Sequence, residues 1–171
     1  HASVNTSEGY RYNTDFENQN YFVKGRFNTN ANPIEMIGYF SERKFGANQF
    51  YAVDARDQYE ETQSSLVGLS TSFKAEKLKI TPRAYWKRNQ DMYLYIRESP
   101  EVYRNLHISN KVGMQVNASY VSTAGITGFG VDVAKVFMTS TNLGERDRLM
   151  ANLFVEHRFS LANNTLDITP G

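Results

Sequence analysis

Cysteine is absent from the 171 residues, which rules out a disulfide framework and any thiolate metal site. Histidine is scarce: His1, His107 and His157 are far apart, with no His-x-x-x-His pair, so no zinc centre is expected. Charge of one sign is lacking too. Nineteen basic against eighteen acidic residues leave a formal net charge of +1, which gives no global pull toward nucleic acid. Proline (4) and glycine (11) are too few for a linker or a low-complexity chain. No run of eighteen apolar residues exists, so a membrane-spanning helix is excluded. Residues 1–20 are polar and hold no leader-like apolar stretch. The chain ends inside a strand-like pattern, Leu166 to Gly171, and is expected to be an internal piece of a longer protein.

Aromatic residues and alternation are abundant. Tyr and Phe number 11 each, and both favour strands. From Lys77 to Lys87, Leu78, Ile80, Pro82, Ala84 and Trp86 alternate with Lys77, Lys79, Thr81, Arg83, Tyr85 and Lys87. Successive side chains of a strand point to opposite faces, so one face is apolar and the other cationic. The same contrast recurs at Val112, Met114, Val116, Ala118 and Tyr120 against Lys111, Gln115, Asn117 and Ser119. It recurs again at Phe129, Val131 and Val133, and from Leu149 to Phe159. The mean hydropathy of −0.55 does not oppose a membrane sheet, because half of each such strand faces water.

Alternation and turn residues predict an all-β, antiparallel up-and-down meander of about eight strands. They run over Tyr21–Asn28, Ile34–Arg43, Ser64–Lys74, Lys77 to about Tyr93, His107–Val121, Ile126–Phe137, Arg148–Ser160 and from Leu166. Residues 1–17 are expected to be irregular. Short turns are predicted at Asn30-Ala31-Asn32-Pro33, Ala75-Glu76, Ser122–Gly125 and Ala162-Asn163-Asn164. They alternate with long connections at Phe45–Glu61, Arg97–Asn105 and Thr139–Asp147. All short turns then share one end of the sheet and all long loops the other. Transmembrane barrels have this asymmetry. On alternation alone, a soluble antiparallel sheet with one buried face is an equal alternative. Loop asymmetry and strand length favour a piece of a transmembrane β-barrel.

Three segments carry a family resemblance: Lys44-Phe45-Gly46-Ala47-Asn48-Gln49-Phe50-Tyr51, Gln58-Tyr59-Glu60-Glu61-Thr62, and Leu78 to Asp91 (LKITPRAYWKRNQD). Asn13-Thr14-Asp15-Phe16 and Tyr103-Arg104-Asn105-Leu106-His107 are in keeping with them. Over roughly residues 10–161 the chain resembles the barrel of TonB-dependent outer-membrane receptors, nearest the cobalamin-receptor-like branch of Bacteroides-type bacteria. The resemblance implies a bacterial outer-membrane location, a closed parent barrel, a separate plug domain and energy delivered through TonB. It also implies a scarce nutrient as ligand, such as a corrinoid or an iron chelate. Residues 1–171 would then be a single barrel segment, with the plug and remaining strands outside it. Its open strand edges would favour self-association. The alternative is a soluble envelope β-barrel module binding a small ligand in an internal cavity.

Several residues are candidates for function. Phe50, Tyr51 and Tyr59, with Phe45, give an aromatic loop surface suited to an organic ligand; a self-packed loop is the plainer reading. Lys77, Lys79, Arg83 and Lys87, grouped with Arg88, form a basic stripe expected to line a lumen. There it would meet a plug domain or steer anionic solutes. Tyr85 and Trp86 could stack bases, but Trp86 falls on the face away from the lysines, so nucleic acid is not an expected partner. Asp54 and Asp57, with Glu60 and Glu61, are weak candidates for a hard cation. Arg56 intrudes and the spacing fits no compact loop, so no metal is expected. No nucleophile turn, phosphate cradle or catalytic constellation occurs, and neither enzyme activity nor a cofactor is expected.

Overall fold

The structure, a computed structural model, describes residues 1–28, 32–161 and 165–169. It is a ten-stranded antiparallel sheet in which strands follow one another in chain order. The strands are β1 (Ala2–Ser7), β2 (Phe16–Asn28), β3 (Pro33–Gly46), β4 (Tyr59–Thr71), β5 (Phe73–Lys74), β6 (Leu78–Leu94), β7 (Arg104–Ser122), β8 (Gly125–Ser140), β9 (Gly144–Leu161) and β10 (Leu166–Ile168). Among the described residues no helix is long and apolar enough to cross a membrane. Among the described residues β1 and β10 do not pair with each other, so the sheet is open.

The all-β antiparallel meander is as the alternation predicts, with three corrections. Residues 1–17 are not irregular throughout: Ala2–Ser7 pairs with β2 from Tyr21 back to Phe16. ASVNTS offers only two apolar side chains, Ala2 and Val4, so this strand is made chiefly by main-chain hydrogen bonding. Second, the connection expected over Thr139–Asp147 is mostly strand. β8 and β9 pair out to Ser140 and Gly144, leaving residues 141–143 as a tight turn closed by Asn142 N–H and Leu143 N–H donating to Ser140 Oγ. Third, strands run on into the first of the other two loops, which shortens to residues 47–58, while the second keeps its length and is shifted to residues 95–103. The turn at Ala75-Glu76 is closed by Ala75 N–H donating to Leu78 O (2.8 Å). The Ser122–Gly125 turn is also present. Of the remaining two, Asn30-Ala31 and Ala162-Asn163-Asn164 lie outside the described residues.

Ten strands replace eight because β1 is added and because Pro82 divides one expected strand in two. Ser70 pairs with Arg83, and Phe73 pairs with Ile80, in one continuous register. The ladder lapses only where residues 71 and 72 pass residues 82 and 81. Proline has no N–H to donate, so a single strand is divided into β4 and β5 without a bulge.

Cross-strand partners share a face, so the register assigns both sides of the sheet. One face carries rows such as Val23, Gly38, Val67, Trp86, Val112, and Met36, Leu69, Ala84, Met114, Val133, Ala151. The opposite face carries Ser70, Arg83, Gln115, Asp132 and Asn152 in one row. Lys87 and Lys111 are partners in another. On β7 and β8 the exposure of the two faces is inverted relative to a globular protein, whereas on β6 Lys79, Arg83 and Lys87 are exposed and Trp86 is half-buried. Along β8, Asp132 is half-buried while Val131 and Val133 are exposed; along β7, Gln115 and Asn117 are half-buried while Met114 and Val116 are exposed. Met114 is 62% and Leu153 75% accessible.

No large side chain among the described residues is fully buried, and the buried apolar set is Ala47, Ala55, Leu94, Ala118 and Ala134. The polar face fills its gaps differently, by laying long side chains over glycines. The Tyr85 ring lies over Gly113, where a Cβ would collide with it, and the Phe154 ring lies over Gly130. Glycine in a strand commonly marks such a close approach.

Candidate functional site

The connections 8–15, 47–58 and 95–103 converge at one end of the sheet. Asn13 is their centre. Its backbone is left-handed (φ 51°), a conformation asparagine tolerates better than most residues. Its amide donates to Arg56 O (2.9 Å) and Gln58 O (2.6 Å), and its carbonyl oxygen accepts from Asn48 N–H (3.2 Å). Gly46 lies so close that a Cβ there would strike Asn13. Arg97 closes the group, donating to Asp15 Oδ1 (2.7 Å) and Asn13 Oδ1 (3.2 Å). Its backbone N–H donates to Asp57 O (2.8 Å), and its guanidinium lies 4.6 Å from the centre of the Tyr59 ring.

Local charge follows from these contacts. The hydrogen bond from Arg97 holds the Asp15 carboxyl below its ordinary range. Tyr12 donates to Asp57 Oδ1 (2.6 Å), which pushes the phenol up. Burial, then the nearby Glu61 carboxylate, pushes Tyr59 up.

A second group lies on the polar face. Phe45, Phe50, Tyr51, Tyr93 and Tyr103 form a chain of edge-to-face rings with neighbouring centroids 4.8–6.4 Å apart. Tyr51 donates to Glu60, and burial with this bond pushes its phenol well up. Gln58, 2% exposed, donates to the Tyr93 hydroxyl (2.5 Å). Below the rings, a hollow of about 330 Å³ is lined by Tyr51, Glu60, Asp91, Tyr93, Asn105 and His107. Register makes it: Glu60 pairs with Tyr93, Tyr93 with Asn105, and Asp91 with His107. Thr141 donates to Asn105 Oδ1 (3.1 Å), and Asn105 Nδ2 lies 2.8 Å from His107 Nε2. His107 Nδ1 is buried with no hydrogen-bond partner among the described residues. The hollow can hold a small organic group against rings, carboxylates and an imidazole.

The sequence candidates are thus divided. Phe50 and Tyr51 join Phe45 on the polar face, whereas Tyr59 alternates with Glu60 and turns to the other side, beneath Arg97. Sequence alone does not point to Tyr93, Tyr103, Asp91, Asn105 and His107 as a site. The alternation placing Asp91 and Tyr93 on the Lys87 face was the available signal. Lys79, Arg83 and Lys87 share the polar face; Lys77 is exposed in the turn before β6. Arg88 does not belong with them: it follows Trp86 on the apolar face, with Ser65 and Asn110 as partners. Asp57 is engaged by Tyr12, and among the described residues no three His, Asp or Glu side chains, Asp54 included, converge on a metal position.

No protein-family model matches the chain, and no curated protein matches it.

Proposed function

We propose that this chain is part of the wall and loops of a TonB-dependent outer-membrane transporter that takes up a scarce nutrient such as a corrinoid or an iron chelate. The inverted exposure of β7 and β8 carries this reading: Gln115, Asn117 and Asp132 are half-buried while Val112, Met114, Val116, Phe129, Val131 and Val133 stand out from the other face. Burying one such side chain contributes on the order of 1.5–3 kcal/mol, so an apolar medium against that face is strongly favoured. On β7 the apolar run from Val112 to Tyr120 spans about 27 Å at a strand rise of about 3.4 Å per residue. Tilted, that suits a lipid-facing band about 25 Å tall. The three folded loops gather at one end, opposite short turns, as in barrels whose longer loops face the medium. In the parent protein the polar face would line the lumen. There Lys79, Arg83 and Lys87 would meet a plug domain, and the ring-lined hollow by Tyr51 would receive part of the solute.

Trp86 is the only tryptophan, and it sits in the apolar band beside Val67 and Val112. Its fluorescence in vesicles with brominated acyl chains tests the reading directly. Strong quenching, with little effect of aqueous iodide, is expected. Quenching by iodide alone would sink it and point to a soluble module.

A further inference from the structure

Arg88 is the one cation of β6 that points out of the apolar face. Its row holds Tyr21, Phe40, Ser65, Asn110 and Phe137. That row is a boundary. On the turn side of it lie Val67, Trp86 and Val112; on the loop side lie Glu42, Gln63 and Gln90. Tyr21 and Phe40 stack there with centroids 6.4 Å apart, and the Trp86 indole donates to Asn110 Oδ1 (3.2 Å). Aromatic rings with one polar edge gather where hydrocarbon meets headgroups.

Among the described residues no carboxylate answers Arg88. Its cross-strand partners are Ser65 and Asn110, and its same-face neighbours along β6 are Trp86 and Gln90. Neither diagonal neighbour on β4, Gln63 or Val67, nor on β7, Ile108 or Val112, is acidic. The other basic side chains of this face near the boundary are paired: Lys44 with Glu42 (2.9 Å) and Lys135 with Asp147 (3.2 Å). Arg88 spends one N–H on Gln90 Oε1 (3.4 Å). Because that bond takes the Gln90 oxygen, and Trp86 takes the Asn110 oxygen, both amides retain NH₂ groups to donate. A guanidinium flanked by two amide donors and the Ser65 hydroxyl, at the edge of an apolar band, suits a phosphate oxygen.

We infer that Arg88, with Asn110, Gln90 and Ser65, binds the phosphate of a membrane lipid in the leaflet at the loop end of the sheet. The inference rests on the lipid-facing reading of the apolar face. Lys87, one residue away, points to the opposite face and supplies the control.

The test is binding of the chain, and of its R88Q, R88K and K87Q forms, to phosphatidylcholine vesicles with and without phosphatidic acid. All vesicles carry brominated chains so that Trp86 reports insertion. A basic residue at an anionic membrane surface contributes about 1 kcal/mol, roughly a fivefold change in affinity. Wild type and K87Q are expected to prefer phosphatidic acid by about that factor. R88Q should lose the preference, and R88K should keep only part of it because it cannot bond in a fork. Equal preference in wild type and R88Q, with Trp86 quenched in both, overturns the phosphate site and leaves the membrane wall standing. Equal losses in R88Q and K87Q reduce the effect to net charge and also overturn it. Absence of Trp86 quenching in every form removes the membrane reading, and the phosphate site with it.

Discussion

The middle of the sheet and its loop end are held together by different means. Across β6, β7 and β8 the paired backbones do most of the work, and side chains on the apolar face wait for an apolar neighbour. At the loop end the backbone is irregular, and side chains from segments up to 84 residues apart hold it, as Arg97 and Asn13 do. Three of the five buried apolar residues, Ala47, Ala55 and Leu94, belong to that end. On the proposed reading, one region depends on its surroundings for stability, whereas the other makes its own.

The sharpest way to break this contrast is a charge in the band. Val116→Arg should cost about 2–4 kcal/mol of membrane-inserted stability, read as a lost folded fraction in urea titrations with lipid vesicles. Gln115→Arg, one residue along on the polar face, should cost far less. Equal effects would mean the two faces do not meet different media.

How well each region could be read from sequence follows the same division. Alternation is clear in β6 to β8 because the two faces of the sheet carry different chemistries. Where strands outrun the apolar band, that contrast stops. Gly144-Glu145-Arg146-Asp147 reads as loop, yet pairs fully with β8. The polar β1 is hidden for the same reason. The hollow beneath the rings was half legible: Asp91 and Tyr93 are fixed to their face by parity with Lys87. No local pattern announces that Tyr51 crosses from its loop to Tyr93 or that Arg97 reaches Asp15. Those contacts depend on how three separate segments fold back.

A second break lies at the opposite end of the sheet. Gly125 has φ 135°, and a Cβ there would run into the Arg158 carbonyl. Backbone strain of this kind costs on the order of 1–3 kcal/mol. Gly125→Ala should therefore fray the β7–β8 turn and raise amide exchange at Ser122 and Ile126, leaving the loop end unchanged.

Arg97→Met should do the converse. Loss of the Asp15 bond should speed proteolysis within residues 47–58 and 95–103, while the β7–β8 amides stay protected. The cost should be within about 1 kcal/mol, because both partners are more than a third exposed. Acid should imitate the substitution. Asp15 titrates below its ordinary 3.8 in the folded state, so its contribution is complete above that pH and fades as pH falls through the lowered value. Proteolysis that changes between pH 5 and 7 would assign the effect to another group.

The smallest change is expected at Pro82→Ala. A new N–H can mend the ladder between β4 and β5, worth about 0.5–1.5 kcal/mol. The freer unfolded chain takes back about 0.4–1 kcal/mol. Urea midpoints should barely move, although amide exchange at the new position would show the added bond.

The unbroken register across Pro82, and through every described hairpin, also sets a rule for insertions and deletions. One residue added inside β7 would turn every later side chain of that strand to the other side, carrying Gln115 and Asn117 into the band and Val116 out of it. Two added residues would restore the pattern after a single defect. Length change within the strands should therefore come in even steps. In the segments 8–15, 47–58 and 95–103, parity means nothing, and any number of residues can be added that leaves Asn13, Asp15 and Arg97 in reach of one another.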